Sequence, residues 1–348
     1  MTIKPGAFRF NSDSMKLEIF RGSANYEGTA SMAGIGTLAA GQWEEIQATS
    51  PEVQTGGARG VYGGGVQTPT TAGTAIQYVT IQSTGNSVDF GDLSSGRFKG
   101  AGVADRTRGV FMGGGTPSRL DTISFVTIAS TGDDTDFGNL ITGRSEGAGV
   151  CNATRGMICG GSSPSVVAII DYITIQSTGN ALDFGDLISA TEQSVGVMSP
   201  TRGVMTGGSA SGQLIQFITT ATLGNAADFG DLNANRRNGS GVCNATRGVF
   251  MGGWDGSNPF ATDTEFVTMA TLGNATTFGD ITTGTRGCEG ISSPTRGVMS
   301  GGQIAPSTNA IDTMEYLTIQ TEGNMMDFGD LNTSFRDCSG CSNAHGGL

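Results

Sequence analysis

The chain has 348 residues, of which 58 are glycine, while 36% are hydrophobic and only 14% are charged. The formal net charge of −12 disfavours a nucleic-acid-binding surface, because affinity for phosphates comes largely from lysine and arginine. Nine prolines and the lack of a three-residue glycine period exclude a collagen-like chain. Abundant glycine between short apolar runs predicts many short strands joined by tight turns.

Targeting and membrane segments are not predicted. The opening stretch MTIKPGAFRF has no apolar core after its lysine, so we expect no secretory signal peptide, and no segment approaches 18 apolar residues. Cys338 and Cys341 form one C-x-x-C pair, but neither a second pair nor a histidine cluster accompanies it, since His345 is the only histidine. The six cysteines are therefore predicted to be small buried thiols rather than metal ligands.

Residues 1–50 are predicted to be a separate attachment segment. The stretch AFRFNSDSMKLEIF predicts two strands around a polar turn at Asn11 to Ser14, which is a β-hairpin. A lone hairpin hardly folds by itself, so we expect it to pack against the rest of the chain or against another subunit.

Residues 57–348 repeat one unit six times. An Arg-Gly pair marks each unit and recurs at intervals of 49, 47, 47, 45 and 49 residues, a period typical of β-propeller blades. Because these arginines recur at one position of the unit, we interpret them as structural. They are Arg59, Arg108, Arg155, Arg202, Arg247 and Arg296.

Each unit predicts a four-stranded antiparallel blade. Its first strand is glycine-rich, as in FKGAGVAD, which suits the crowded axis of a propeller, and its second strand ends in a glycine pair that permits positive φ. The third and fourth strands each carry an aromatic residue, always 12 residues apart, and we expect these rings to fill the space between blades. The pairs are Tyr78/Phe90, Phe125/Phe137, Tyr172/Phe184, Phe217/Phe229, Phe266/Phe278 and Tyr316/Phe328.

The glycine-rich stretch FRDCSGCSNAHGG follows the sixth unit and has no unit of its own. It supplies the first strand that blade 1 lacks, and docking it there hides both open sheet edges. The predicted fold is therefore all-β: a six-bladed β-propeller closed by its C-terminal strand, with a short N-terminal β-hairpin extension.

Three resemblances follow from these motifs. The arginine, the glycine pair and the outer-strand aromatics resemble kelch repeats, with Phe where kelch blades usually have Trp. Over residues 57–348 the pattern TRGVFMGG…VTIxSTGNxxDFGDL resembles repeat proteins of marine, cyanophage-type bacteriophages, which are typically virion proteins. PGAFRFNSDSMKLEIFRGS with the later GQWEEI is similar to a short module of phage tail-fibre and other virion proteins, with a longer insertion before Trp43.

These resemblances imply a multicopy virion protein that is assembled in the host cytoplasm. Residues 1–50 would contact other virion proteins, and the propeller would contact a glycan or protein of the host surface. A tail-fibre or tail-associated adhesin is the first interpretation, and a capsid decoration or head-fibre protein is the second. A secreted lectin-like propeller is the third. No nucleic-acid partner and no membrane insertion are expected.

The fourth-strand motif DFGDL raises the question of chemistry. Its second acid is Asp92, Asp186, Asp231, Asp280 or Asp330, but blade 2 has Asn139, and blade 5 replaces the first acid with Thr277. Since the ligand set is not maintained, we expect these acids to satisfy turn amides and to meet the repeated arginines of adjacent blades. A calcium site in each blade is the alternative.

Catalytic signatures are not assembled in this sequence. The DFG triplet lacks the other kinase motifs, the loose G-x-G-x-x-G matches lack a strand and a helix around them, and a single histidine with no nucleophile beside it makes no triad. We predict no catalytic residue, cofactor or metal, and a protein that is not an enzyme. The alternative is glycan cleavage by the loop acids Asp255, Asp263 and Glu192.

Length variation is confined to the loop between the second and third strands. In a four-stranded meander this loop shares one face with the blade-to-blade connections, so that face differs from blade to blade and can carry recognition. Blade 5 has the richest loop, GGWDGSNPFATD, and an exposed Trp could stack on a sugar or anchor a protein contact. The alternative is that Trp254 only covers the edge of the blade. The candidate binding residues are Trp254, Asp255, Asn258, Phe260, Gln67 and Arg119.

Overall fold

The computed structural model describes residues 8–11, 16–21, 42–45, 58–67, 71–209, 212–256 and 260–348, which form strands and turns. The chain divides into two compact units, Met1–Ser50 and Pro51–Leu348. The first unit contains three antiparallel strands, Phe8–Asn11, Lys16–Arg21 and Gln42–Glu45. The predicted hairpin is present, and Gln42–Glu45 adds a third strand that was not predicted.

The second unit is a six-bladed β-propeller, as predicted. Each blade is a four-stranded antiparallel sheet whose strands follow one another from the axis outward. In that order the strands are Ser339–Ser342, Arg59–Gly63, Ala75–Thr80 and Val88–Asp92 in blade 1; Ala101–Ala104, Arg108–Met112, Thr122–Thr127 and Thr135–Asn139 in blade 2; and Ala148–Cys151, Arg155–Cys159, Ile169–Thr174 and Leu182–Asp186 in blade 3. Blade 4 contains Val195–Met198, Arg202–Thr206, Leu214–Thr219 and Ala227–Asp231; blade 5 contains Ser240–Cys243, Arg247–Met251, Asp263–Thr268 and Thr276–Asp280; blade 6 contains Glu289–Ser292, Arg296–Ser300, Ile311–Thr318 and Met326–Phe335.

Short two-stranded ribbons extend the loop between the second and third strands in three blades. They pair Val66–Gln67 with Thr71–Ala72, Gly115–Thr116 with Ser118–Arg119, and Ser162–Ser163 with Ser165–Val166.

The C-terminal strand closes the ring as the sequence predicted. Ser339–Ser342 pairs antiparallel with Arg59–Gly63, so that Cys341 lies opposite Val61. Asn343 extends this pairing, because its Oδ1 accepts from the Arg59 amide at 2.9 Å and its own amide donates to the Arg59 carbonyl at 3.2 Å. One sheet thus joins residues from both ends of the propeller sequence.

Apolar side chains pack between neighbouring blades. Phe90 and Ile76 of blade 1, for example, pack with Phe111 and Val126 of blade 2. Each third-strand aromatic meets the fourth-strand Phe of its own blade edge to face, with ring centroids 5.9–6.1 Å apart. The fourth-strand Phe is buried and the third-strand ring is partly exposed, so the expectation that the rings fill the interblade space is confirmed.

The repeated DFGDL motif forms the outer contact between blades. The amide of Gly132 in blade 2 donates to the carbonyl of Phe90 in blade 1 at 2.7 Å, and the Asp92 amide donates to the Asp133 side chain at 2.9 Å. At the other five interfaces an Asn side chain takes the place of Asp133. These residues are Asn180, Asn225, Asn274, Asn324 and Asn86, each accepting from the equivalent amide at 3.0–3.1 Å.

The predicted ion pairs between the repeated arginines and the fourth-strand acids are wrong. Each repeated arginine lies over the third-strand aromatic of its own blade, with Cζ 4.1–5.2 Å from the ring centroid. Its Nη1 donates to the backbone carbonyl at the end of the third strand in the next blade, at 2.9–3.2 Å. The Asp92 carboxylate instead accepts from Thr74 Oγ1 at 2.9 Å. The arginines are therefore structural, as predicted, but their partners are carbonyls and rings.

Candidate functional site

The two ends of the propeller are built differently. Turns between the first and second strands and between the third and fourth strands lie at one end. At the other end, the loop after the second strand pairs with the connection from the preceding blade, as in the isolated bridges Arg237–Trp254 and Arg286–Gln303. We call this second end the loop face, and it is the face that the sequence predicted to be variable.

A closed ring of hydrogen bonds surrounds the axis at the loop face. Six residues at one position of each unit have φ of +55° to +66°, and the amide of each donates to the carbonyl of the preceding one at 2.6–2.8 Å. We call this set the axial ring, and its members are Lys99, Glu146, Gln193, Asn238, Gly287 and Asp337. Sequence reasoning missed the axial ring because only Gly287 signals a positive φ.

Beneath the axial ring lies an axial cavity of about 100 Å³, lined largely by glycines of the first strands. Among the residues that line the cavity, Glu289 carries the one carboxylate. Burial raises the pKa of Glu289 to about 8, and hydrogen bonds from the backbone amides of Gly340 and Gly290 oppose this rise. At its far end the buried His345 places Nε2 2.8 Å from the Ala104 carbonyl, and burial lowers the pKa of His345 to about 4. The volume of the cavity suits water-sized groups, and its described lining residues include no cluster of metal ligands.

The loop face also carries a pocket of about 380 Å³ beside blade 5, which we call the Trp254 pocket. Its polar side chains come from Ser209, Asn235, Arg236, Arg237 and Asp255, with backbone from three glycines and one aromatic ring from Trp254. This volume falls within the range of small-ligand sites.

Two guanidinium groups hold the indole of Trp254. The Cζ atoms of Arg237 and Arg286 lie 4.2 and 4.9 Å from its centroid, and Arg286 also lies 4.9 Å from the Phe260 ring. Trp254 is therefore partly buried and serves as a platform for arginines. A sugar could stack on this ring only where a guanidinium moves aside.

Beneath this platform, Arg236 is buried and forms ion pairs with Asp263 Oδ2 at 2.5 Å and Glu265 Oε1 at 3.1 Å. Burial raises the pKa of Glu265, opposed by the Asn233 amide and by Arg236. These ion pairs hold the side chain of Arg236, which lines the Trp254 pocket, in place.

Five of the six predicted binding residues lie in the described part of the chain, in three settings. Trp254 and Asp255 lie together in the Trp254 pocket, whereas Phe260 is buried at 6% exposure and packs against Arg286, so its predicted role as a surface contact is corrected. Gln67 lies on the ribbon of blade 1. Arg119 is exposed on the ribbon of blade 2 and donates to Ser162 of blade 3 at 2.7 and 2.8 Å. Asn258 lies outside the described residues.

The loop acids considered for glycan cleavage occupy separate environments. Asp263 is bound to Arg236, and Asp255 is exposed in the Trp254 pocket. Glu192 lies on another loop, where burial and then the neighbouring Glu146 carboxylate raise the pKa of Glu192. Within the part of the chain that the structure describes, no three His, Cys, Asp or Glu side chains gather as a metal site.

Three arginines were not predicted as site residues. Arg237, Arg286 and Arg336 occupy one position, immediately before the axial ring, in the connections into blades 5, 6 and 1. The other three connections have Phe98, Ser145 and Glu192 there. Aligning the six repeats at this position would have shown the three arginines.

The fold and the loop face define a closed six-bladed β-propeller with an arginine-lined polar pocket at one end. No protein-family model and no curated protein matches the chain. In the described residues, no helix has the length and apolar character needed to span a membrane.

Proposed function

We propose that the protein is a structural and binding component of a bacteriophage particle, first of all a tail-fibre or tail-associated adhesin. In this proposal residues 1–50 attach the protein to other virion proteins, and the loop face of the propeller binds the host surface or a neighbouring protein. The role is binding, without catalysis or a cofactor.

The contrast between the two ends of the ring carries this proposal. The arginine contacts recur at every blade interface, and the outer contact recurs with an Asn acceptor at five interfaces and with Asp133 at the sixth, which makes the ring a rigid scaffold. Differences between blades gather at the loop face, where the ribbons, the Trp254 pocket and the arginines lie. A rigid frame with a divergent loop end is typical of recognition proteins. The phage assignment is supported by the repeat pattern and by the tail-fibre-like motif of the first residues.

Immunogold electron microscopy of phage particles from the source tests the proposal. Antibody raised against residues 57–348 would label the tail or its fibres, and preincubation with the purified propeller would abolish this label. Label over the head would replace the adhesin with the capsid-decoration or head-fibre role. Particles without label, combined with absence of the protein from their mass spectra, would overturn the virion assignment and favour the secreted lectin-like propeller.

A further inference from the structure

Arg237, Arg286 and Arg336 form a cationic arc on the loop face, which we call the arginine arc. The chain as a whole carries a charge of −12, so a local excess of arginine is unexpected. Arg336 pairs with Asp337 at 2.8 Å, whereas among the described residues neither Arg237 nor Arg286 has a carboxylate within ion-pair distance. Among the described ion pairs, Asp337 balances one of the three positive charges of the arc.

The three guanidinium groups lie close enough to influence one another. Burial is the main cause that lowers the pKa of Arg286; Asp337 opposes it, and both Arg237 and Arg336 add to the lowering. Holding like charges together costs free energy, so an arrangement that keeps them adjacent is expected where an anion binds between them.

The guanidinium groups are also held in fixed orientations. Arg237 and Arg286 stack on Trp254, and the side-chain oxygen of Gln303, turned toward Arg286, accepts from its Nε and Nη2 at 3.1 Å each. A planar guanidinium fixed in this way offers its remaining N–H groups as a fork that fits a carboxylate or a sulfate. Less conformational entropy is lost on binding because the side chains are already ordered.

The Trp254 pocket adjoins the arc through Arg237 and Trp254 themselves. Its other groups are the amide of Asn235, the hydroxyl of Ser209, the carboxylate of Asp255 and the backbone of glycines. A lining that contains both hydrogen-bond donors and acceptors suits a hydroxyl-rich ring better than an apolar peptide side chain.

We infer that the loop face binds an acidic glycan, with a sugar ring in the Trp254 pocket and its carboxylate or sulfate groups on the arginine arc. This inference rests on the proposed function in one respect, since it names the class of surface ligand that the adhesin would take. Uronic acids and sulfated sugars supply the same anionic chemistry, and the probes below separate them.

Isothermal titration calorimetry with three oligosaccharide probes tests the inference on the full chain. A heparin oligosaccharide carries sulfate, oligogalacturonate carries carboxylate only, and maltohexaose is neutral. We expect at least one acidic probe to bind and maltohexaose not to bind. The affinity should fall as salt is raised from about 50 to about 200 mM, because salt screens binding that depends on charge. Binding of heparin alone would identify sulfate as the group, and binding of both would identify any anionic group.

Two variants locate the binding site. The double variant Arg237→Gln with Arg286→Gln should lower the affinity at least tenfold, and the matching pair of Lys substitutions should retain an intermediate affinity because the charge remains. Arg106→Gln is the control, since Arg106 is exposed in the turn between the first and second strands of blade 2, at the end opposite the loop face. Unchanged circular dichroism and unfolding temperature would show that each variant is folded.

Three results would overturn the inference: no binding of either acidic probe, undiminished binding by the folded double Gln variant, or equal binding of a DNA duplex or polyaspartate that the double variant loses in the same way. This test is independent of the microscopy. Gold on the tail without glycan binding would support the virion proposal and contradict the inferred ligand. Glycan binding without gold on any particle would support the inferred ligand and contradict the virion proposal.

Discussion

The guanidinium of Arg108 in blade 2 donates from Nη1 to the carbonyl of Ile175 in blade 3, across 2.9 Å, while its Cζ lies 4.1 Å above Phe125 of its own blade. One side chain therefore joins the ring of one blade to the backbone of the next. The same relationship recurs at every interface, from Arg59 with Ile128 around to Arg296 with Ile81. It explains why the Arg-Gly pair is repeated in the sequence.

Replacing Arg108 with Gln should lower the free energy of unfolding by about 1–2 kcal/mol. The change removes a stacked cation, worth about 0.5–1 kcal/mol, and a hydrogen bond of about 1 kcal/mol. Urea unfolding measures the effect. Arg106→Gln is the matched control, because Arg106 is an exposed arginine of the same turn. Equal stability of the two variants would contradict the structural role of the repeated arginine.

Gly185→Ala should destabilise the propeller more than Gly179→Ala does. Both glycines have a φ that favours glycine, +144° and +152°, so each substitution strains the backbone by about 1–3 kcal/mol. A Cβ on Gly185 would lie 2.5 Å from the Gly224 carbonyl oxygen of the next blade, whereas a Cβ on Gly179 meets nothing within 4 Å. The difference, about 1–3 kcal/mol by denaturant unfolding, isolates the close approach of the blades. Similar losses in both variants would show that conformation alone explains the repeated glycine.

Glu289→Gln should stabilise the protein at pH 8 and have little effect at pH 4. Burial raises the pKa of Glu289 to about 8, above the ordinary value of 4.5. Between these pH values the unfolded chain has released the proton that the folded chain retains, so the wild-type protein loses stability as the pH rises through this window. Because Gln cannot ionise, the variant should be more stable at pH 8 by on the order of 1–3 kcal/mol.

Unfolding curves at pH 4, 6 and 8 measure this difference. Glu322→Gln is the surface control, since the Glu322 side chain is 55% exposed. A gap between Glu289→Gln and wild type that stays constant with pH would contradict an ionisable group buried in the axial cavity.

The six cysteines should be inert in the folded protein. All of them are free and buried, and burial raises the pKa of Cys159, Cys288 and Cys341 to about 12 in each case. The thiolate reacts, not the thiol, so an aromatic disulfide reagent at pH 8 should find no reactive group until denaturant exposes six. Rapid reaction of even one thiol in the native protein would show that the interblade packing opens.

The sequence predicted the ring well because each interface repeats the same local pattern. Strand length and pairing, which nearby residues determine, explain the 12-residue spacing of Tyr78 and Phe90. They also explain why Ser339–Ser342, which follows the last unit, could be assigned to blade 1. The partners of Arg108 were predicted wrongly, because its acceptor is a carbonyl 67 residues away and leaves no sequence signal.

The site was predicted less completely than the fold. Trp254 and Asp255 do line a pocket, but Phe260 is buried against Arg286, which belongs to the connection into the next blade and lies 26 residues away in the sequence. The arginine arc brings together residues from three units, and only the ring geometry makes them neighbours. Lys99 and Glu146 in the axial ring have positive φ because six backbone hydrogen bonds close around the axis, which no single residue type indicates.

Closure by Ser339–Ser342 sets the order in which the ring can be finished during synthesis. Blade 1 begins at Arg59, yet its innermost strand emerges from the ribosome only after all the other blades. Until then the nascent ring has an unpaired strand at its seam, and an unpaired edge can associate with other chains. A chain that terminates after blade 6 would contain every loop of the loop face but would lack the strand that pairs with Arg59–Gly63. Such truncated chains should aggregate, so the codons for Ser339–Ser342 should have a large effect on soluble yield.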